Sequence, residues 1–307
     1  MASGGPEGGR EPLTILAIYA HVADTAGEAA GAIAVHADLG DMITAVVCTD
    51  GERHHPALFL DAGEAPGRPA DLPHLRASLE EIRALKRREA RRVAAILGVG
   101  SIEFLGWDDG YLEVTSDRIA QLGEVILRVR PDLVLAPLPH TTGGDVDPHA
   151  AVGRIAIWAR DWAETRIRAV DGVAAHHPQE LIFYPMGGEI ADSRDPLSGG
   201  IWCDVWVDTT AVIERKIQAL DQIVSQGYHG SVGRKIVEAR DGRWGMLAGT
   251  SYAEPFVRGG RTHDSLPMPP RVRGRTYHPT DLPGDRLVAH DVPSAVPDDA
   301  FTVPAKD

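Results

Sequence analysis

The stretch Ile15-Leu16-Ala17-Ile18-Tyr19-Ala20-His21-Val22-Ala23-Asp24 decides the fold. An apolar run of this length, bounded by polar residues, predicts a buried β-strand. A buried parallel strand presents functional groups at its carboxyl end, and His21 and Asp24 come just past that end. An imidazole nitrogen and a carboxylate oxygen form a ligand pair that suits Zn²⁺. The pair alone is equally compatible with a helix-capping Asp24 and an incidental His21.

The bulk composition limits the kinds of partner. The chain has 307 residues, of which 43% are hydrophobic, and its formal net charge is −13. That length allows one large α/β domain or two small ones. The acidic charge argues against nucleic acid as a partner, because phosphate binding needs a basic surface. No apolar run approaches the roughly 20 residues of a membrane span, so we expect a soluble, cytoplasmic protein. Cys48 and Cys203 lie in apolar runs, which favours buried free thiols over a disulfide.

Alternating strand and helix patterns predict βαβ units and a mostly parallel sheet. The expected fold class is α/β, with residues 13–258 as one domain between a disordered N-terminus at 1–12 and a Pro/Gly-rich tail at 259–307. That tail is compatible both with an extended arm and with plain disorder. The predicted strands are 13–20, 42–48, 102–105, 133–136, 181–184 and 203–208, and the predicted helices are 25–38, 75–97, 119–129, 150–166, 210–226 and 231–239.

A second polar cluster follows the fourth predicted strand. The segment 139–149 is a glycine-containing loop with two histidines and two aspartates just before a helix. The strand-end rule places it at the same sheet edge as His21 and Asp24. His149, at the start of the helix, would complete a His/Asp/His set, and three protein ligands with an open fourth position are typical of catalytic zinc. The alternative is that Asp147 caps the helix and the histidines are ordinary loop residues.

Taken in order, these residues resemble the PIG-L/LmbE-like zinc de-N-acetylases. Family members carry Ala-His-Pro-Asp-Asp-Glu where this chain has Ala20-His21-Val22-Ala23-Asp24-Thr25. They carry His-Pro-Asp-His-x-Ala-Val-Gly where this chain retains His149-Ala150-Ala151-Val152-Gly153. The resemblance covers roughly residues 13–258 and implies a three-layer, Rossmann-like, LmbE-like fold with a mostly parallel sheet. The other matching segments are 49–52, 94–99, 104–106, 204–208, 216–220 and 252–256.

The resemblance also implies roles for single residues. His21, Asp24 and His149 fall on the family's metal ligands, which implies one zinc ion per chain, other divalent metals also being compatible. The family's general base, an aspartate, is Ala23 here. Three further family positions are also changed: the assisting histidine is Val146, the aspartate before the second ligand histidine is Pro148, and the supporting glutamate is Thr25.

With the usual base absent, another group has to serve. We expect Asp147 to take this role first, because it lies two residues from His149, and Asp145 and His140 are the other catalytic candidates. Asp147 is equally compatible with a helix cap. We further expect three residues after the second strand to contact substrate: Asp50, Glu52 and Arg53.

The sequence thus predicts a metal-dependent hydrolase that cleaves an N-acyl amide bond of a small, sugar-like or natural-product substrate. A positioned base adds on the order of 10²–10⁴ in rate. Without the family's usual base, amide hydrolysis should therefore be slow unless another group replaces it. The alternative is a catalytically lapsed protein that binds a ligand or partner without turnover. A homo-oligomer is compatible with either reading.

Overall fold

The computed structural model describes residues 11–52, 79–140, 147–165, 174–186 and 203–259. These residues build a seven-stranded sheet flanked by helices. The strands are β1 (Thr14–Tyr19), β2 (Met42–Thr49), β3 (Ser101–Trp107), β4 (Leu133–Pro137), β5 (Glu180–Tyr184), β6 (Val205–Asp208) and β7 (Ala253–Arg258). The helices are α1 (Asp24–Gly27), α2 (Ala30–Asp38), α3 (Leu79–Leu97), α4 (Ser116–Val129), α5 (Pro148–Glu164), α6 (Ile213–Leu220) and α7 (Ser231–Ala248).

The strand order is β3-β2-β1-β4-β5-β7-β6. The first five strands are parallel, and β1 lies at their centre, paired with β2 on one side and β4 on the other. β7 runs antiparallel to both β5 and β6. The chain therefore reverses its winding direction at β1 and β4, and in such sheets ligands bind at the carboxyl ends of the strands beside that point.

β1 separates two hydrophobic cores. Ile15, Ala17 and Tyr19 face a core built with α2, α3, α6 and α7. Leu16, Ile18 and Ala20 face a second core built with α4 and α5. This alternation follows from the two-residue period of a strand. The predicted three-layer α/β fold with a mostly parallel sheet is confirmed.

The helix predicted at 25–38 is wrong in one respect, because it is broken into α1 and α2. Ala29, between them, adopts a left-handed backbone with φ 51°. The reason is tertiary: the Glu254 carboxylate accepts hydrogen bonds from the backbone N–H groups of Gly31 and Ala32 at 2.8 and 2.7 Å. A carboxylate at these unpaired N–H groups stabilises a new helix start.

Three other elements differ from the sequence prediction, and one of them is α7, which was predicted to end at 239 but continues to Ala248. β7 was not predicted as a strand, and it contains Pro255 and the buried Glu254. The helix predicted at 210–226 is α6 alone, flanked by 3₁₀ turns at Thr210–Val212 and Val224–Gln226. Cys48 and Cys203 are buried free thiols, as predicted.

Parts of the prediction fall outside the described residues: 1–10, the start of the helix predicted at 75–97, and the tail from 260 onward. Among the residues that the structure describes, no helix is long and apolar enough to cross a membrane.

Candidate metal centre

The end of β1 and the start of α5 bring three side chains together. His21 Nδ1 lies 3.0 Å from His149 Nε2, and Asp24 Oδ1 lies 3.5 Å from the same His149 nitrogen. The second Asp24 oxygen accepts a hydrogen bond from the His21 backbone N–H at 2.8 Å, which fixes the carboxylate. The three groups offer donor atoms that all lie within 4.8 Å of one another. The predicted His/Asp/His set is therefore assembled in the fold.

The spacing of these donors fits a single zinc ion. Zinc bonds of about 2.0–2.1 Å in a tetrahedron place neighbouring donors about 3.3 Å apart. The distances to His149 Nε2 of 3.0 Å from His21 and 3.5 Å from Asp24 bracket that separation. His21 and Asp24 are buried, whereas the His149 side chain keeps 17% of its surface exposed. The donor set is compatible with one ion and an open fourth position.

Each of the two histidines contacts a carboxylate through the ring nitrogen that faces away from the cluster. Asp109 Oδ1 lies 2.9 Å from His21 Nε2, and Asp147 Oδ1 lies 2.8 Å from His149 Nδ1. Asp109 is fully buried, and the Thr49 hydroxyl also donates to it at 3.2 Å. Carboxylates of this kind set the tautomer and the ring orientation of metal-binding histidines. The two contacts leave His21 Nδ1 and His149 Nε2 facing the cluster.

The mutual charges of the cluster shift its proton affinities. Burial on its own would raise the pKa of the Asp24 carboxyl, but His149 and His21 hold it below its usual range. Burial would lower the pKa of His149, but the charge of Asp24 and the hydrogen bond to Asp147 raise it to about 10. The cluster is thus a concentrated negative site that attracts a cation.

Asp109 was not singled out from the sequence. It follows β3 in the segment Asp108-Asp109-Gly110, and β3 ends at the same sheet edge as β1. Its position just after a parallel strand is the one signal that pointed to it. Its contact with His21 spans 88 residues of the chain, so no local pattern predicts the pairing.

The predicted base, Asp147, is the N-cap of α5. Its Oδ1 accepts from the His149 backbone N–H at 2.8 Å and contacts the ring nitrogen that does not face the cluster. This geometry makes Asp147 an orienting residue for His149. His140 is exposed after β4, and Asp145 lies outside the described residues. Ala23, at the family's base position, provides no titratable group beside Asp24.

Asp50 and Glu52, predicted to contact substrate, are buried and form ion pairs with α3. Both Asp50 oxygens accept from Arg87, at 2.8 and 2.7 Å, so its contacts do not support substrate binding. Glu52 Oε1 accepts from Arg83, whereas its Oε2 is buried without a hydrogen-bond partner. Arg53 lies outside the described residues.

Comparison with known proteins relates residues 16–159 to a known family. Residues 16–159 match the family model described as PIG-L, GlcNAc-PI de-N-acetylase, and this region includes all three donors of the cluster. This part of the chain, residues 16–159, is therefore similar to the PIG-L family, as its motifs indicated.

Three known proteins are similar to the chain. A 4-oxalmesaconate hydratase from Pseudomonas putida is 32% identical over 121 residues, which are 39% of this chain and 42% of that relative. A solved 4-carboxy-2-hydroxymuconate hydratase from Pseudomonas putida covers 82% of this chain and 99% of its own, with TM-score 0.64 and 23% identity. The N,N'-diacetylchitobiose deacetylase from Pyrococcus horikoshii covers 80% of this chain and 82% of its own, with TM-score 0.62 and 20% identity. The two solved structures establish the shared fold.

Replacing Asp109 with asparagine is expected to weaken zinc binding by about 10–100-fold, because the carboxylate that orients His21 is lost. The measurement is the zinc dissociation constant from competition with a chelator. The matched control is Asp108→Asn, which changes the exposed neighbouring aspartate and should leave the constant within about twofold of wild type. Equal affinities for Asp109→Asn and wild type would show that His21 does not depend on Asp109.

Proposed function

We propose that the protein is a zinc-dependent enzyme that activates water for attack on a small carbonyl-containing molecule. The observation that carries this proposal is the cluster of His21, Asp24 and His149, with a carboxylate behind each histidine. Zinc in a site with an open position polarises a carbonyl oxygen and acidifies water. In this account Asp109 and Asp147 are positioning residues.

The favoured reaction is addition of water to a carbon–carbon double bond conjugated with a carbonyl group. Water oxygen bonds to one carbon and a proton adds to the other, so no group leaves. Both reactions deliver a proton, to carbon in hydration and to nitrogen in amide hydrolysis, but amide hydrolysis also has to break the carbon–nitrogen bond as the nitrogen is protonated. Among the described carboxylates near the cluster, Asp109 and Asp147 each hold a histidine, and Asp24 is a donor itself. The similarity to a hydratase supports this reaction.

The second candidate is hydrolysis of an N-acyl bond in a sugar-like or natural-product substrate. The carbon–nitrogen bond breaks, and a carboxylic acid and an amine form. The description of the matching family model and the shared fold of the Pyrococcus deacetylase favour this reaction. A protein that binds such a ligand without turnover remains the third outcome of the test.

The test gives the zinc-loaded protein two substrates. One is 4-carboxy-2-hydroxymuconate, followed by its ultraviolet absorbance, and the other is N,N'-diacetylchitobiose, followed by acetate release. We expect loss of absorbance with the wild-type protein and background release of acetate. Acetate release without hydration would replace the first candidate by the second, and silence on both would favour a binding protein.

The variant Ala23→Asp tests why amide hydrolysis is disfavoured. It restores a carboxylate beside Asp24, and a positioned base is worth on the order of 10²–10⁴ in rate. Because we assign the pocket to an unsaturated acid, acetate release should stay at background in Ala23→Asp and in its isosteric control Ala23→Asn. An increase of about 10² in Ala23→Asp alone would show that the pocket accepts N-acyl substrates and that only the base was lost.

A further inference from the structure

Lys86, in the middle of α3, is a buried ammonium group with a single partner. The side chain is 3% exposed, and Nζ donates to the backbone carbonyl of Gly51. An ammonium group has three hydrogens to donate. Among the described residues Lys86 forms no ion pair, although Arg83 and Arg87 on the same helix do. Two of its donors therefore have no acceptor among the residues that the structure describes, and burying an ammonium in this state is unfavourable.

This ammonium group stands beside the metal cluster. A Cβ atom placed on Gly51 would lie 3.3 Å from Lys86 Nζ, 3.3 Å from His21 Cβ and 3.4 Å from His21 Cδ2. Burial holds the pKa of Lys86 below its usual value, whereas the charges of the surrounding carboxylates, Asp109, Glu89, Glu52 and Asp24, act to raise it. Asp109 contacts His21, Glu89 accepts from Ser225, Glu52 accepts from Arg83 through one of its oxygens, and Asp24 accepts from the His21 backbone.

Among the described residues, two buried acceptors without hydrogen-bond partners belong to segments that contact α3. Glu52 Oε2 is one, and its other oxygen is held by Arg83, one turn before Lys86. Gln226 Oε1 is the second. It follows Ser225, whose N–H and hydroxyl bind Glu89 at 2.8 and 2.6 Å, one turn after Lys86. Residues three apart on a helix are neighbours, so the contacts of Arg83 and Glu89 bring Glu52 and Ser225, the residue before Gln226, to α3 one turn on either side of Lys86.

We propose that Lys86 binds a carboxylate of the substrate, and that Glu52 Oε2 and Gln226 Oε1 accept hydrogen bonds from its hydroxyl groups. The site would then recognise a small hydroxycarboxylic acid, the chemical class that hydration of an unsaturated acid yields. This inference rests on the proposed function for its reaction. Its physical basis is separate: charge-assisted hydrogen bonds to carboxylate satisfy the two unused donors of a buried ammonium.

The experiment measures binding, with malate as the probe and zinc-loaded protein in the calorimeter. Lys86→Met is expected to weaken malate binding by about 10- to 100-fold, the range for lost hydrogen bonds to a charged group. The matched control, Lys235→Met, changes an exposed lysine of α7 and should bind malate as wild type does. Succinate, which lacks the hydroxyl group, should bind wild type about 3- to 10-fold more weakly than malate.

Equal malate affinity in wild type and Lys86→Met would overturn the proposal, and equal affinity for malate and succinate would overturn its hydroxyl part. Zinc content and melting temperature show whether Lys86→Met is folded. If it is not, ¹⁵N-lysine labelling of the wild type resolves the four lysines of the chain. The Nζ signal absent from Lys86→Arg should then shift on malate addition, and an unmoved signal contradicts the proposal. If malate binding depends on Lys86 but the protein turns over no unsaturated acid, the proposed reaction is refuted and the proposed role of Lys86 in binding is retained.

Discussion

We expect the zinc-loaded protein to lose its metal and on the order of 10³ of its proposed activity when His149 is replaced by alanine, since Lewis-acid stabilisation is worth several kcal/mol. His149 Nε2 is the atom that both other donors approach, at 3.0 Å from His21 and 3.5 Å from Asp24. Without it only two protein donors remain, which is fewer than the three of a catalytic zinc site. The measurements are zinc content by mass spectrometry and the rate on the substrate that wild type turns over.

The matched control for this prediction is His177→Ala. His177 is an exposed histidine whose Nδ1 lies 3.0 Å from Glu164, and it stands apart from the cluster. We expect wild-type zinc content and rate in this variant. A His149→Ala protein that keeps stoichiometric zinc and full activity would remove His149 from the site.

Replacing Lys216 with methionine is expected to lower the free energy of unfolding by about 3–5 kcal/mol, the usual effect of removing one partner from a buried ion pair. Lys216 is fully buried and donates to Asp241 and to Glu254, at 2.5 and 2.7 Å. Burial would lower the pKa of Lys216, but the charges of Asp241 and Glu254 raise it, so it stays protonated. Its loss removes the cation from buried Glu254 and leaves buried Asp241 with Arg240 alone, at 3.3 Å.

The effect should extend to the metal site for two reasons. Glu254 also accepts a hydrogen bond from the start of α2. In addition, Arg240, which is next to Asp241, pairs at 2.8 Å with Glu28, which lies between α1 and α2. Urea unfolding followed by circular dichroism measures the stability. Lys235→Met, at an exposed position, should change it by no more than about 0.5 kcal/mol. Equal stabilities for the two lysine variants would show that the buried network does not stabilise the fold.

The sequence predicts the parts of this molecule that depend on local pattern. The apolar run before His21 identifies β1, and the strand-end rule places His21, Asp24 and His149 at one edge, where the structure assembles them. The mostly parallel sheet follows from the alternation of strand and helix patterns along the chain. These features are predictable because strand periodicity and burial are properties of short segments.

The rest depends on contacts between distant segments. The break between α1 and α2 follows from Glu254, more than 220 residues away, and β7 is obscured by Pro255 and by that buried glutamate. The contact of Asp109 with His21 and the ion pairs of Asp50 and Glu52 with α3 are also long-range. The sequence pattern predicted that Asp50 and Glu52 contact substrate. It could not show that Arg87 and Arg83 neutralise them.

The most direct test of the metal site is anomalous diffraction at the zinc edge from crystals of the zinc-loaded protein. We predict one strong peak about 2.0–2.1 Å from His21 Nδ1, His149 Nε2 and an Asp24 carboxylate oxygen. Asp109 and Asp147 should remain on the opposite ring nitrogens of the two histidines. A zinc peak elsewhere with none between these three side chains would contradict the assignment of the site and the reaction proposed from it.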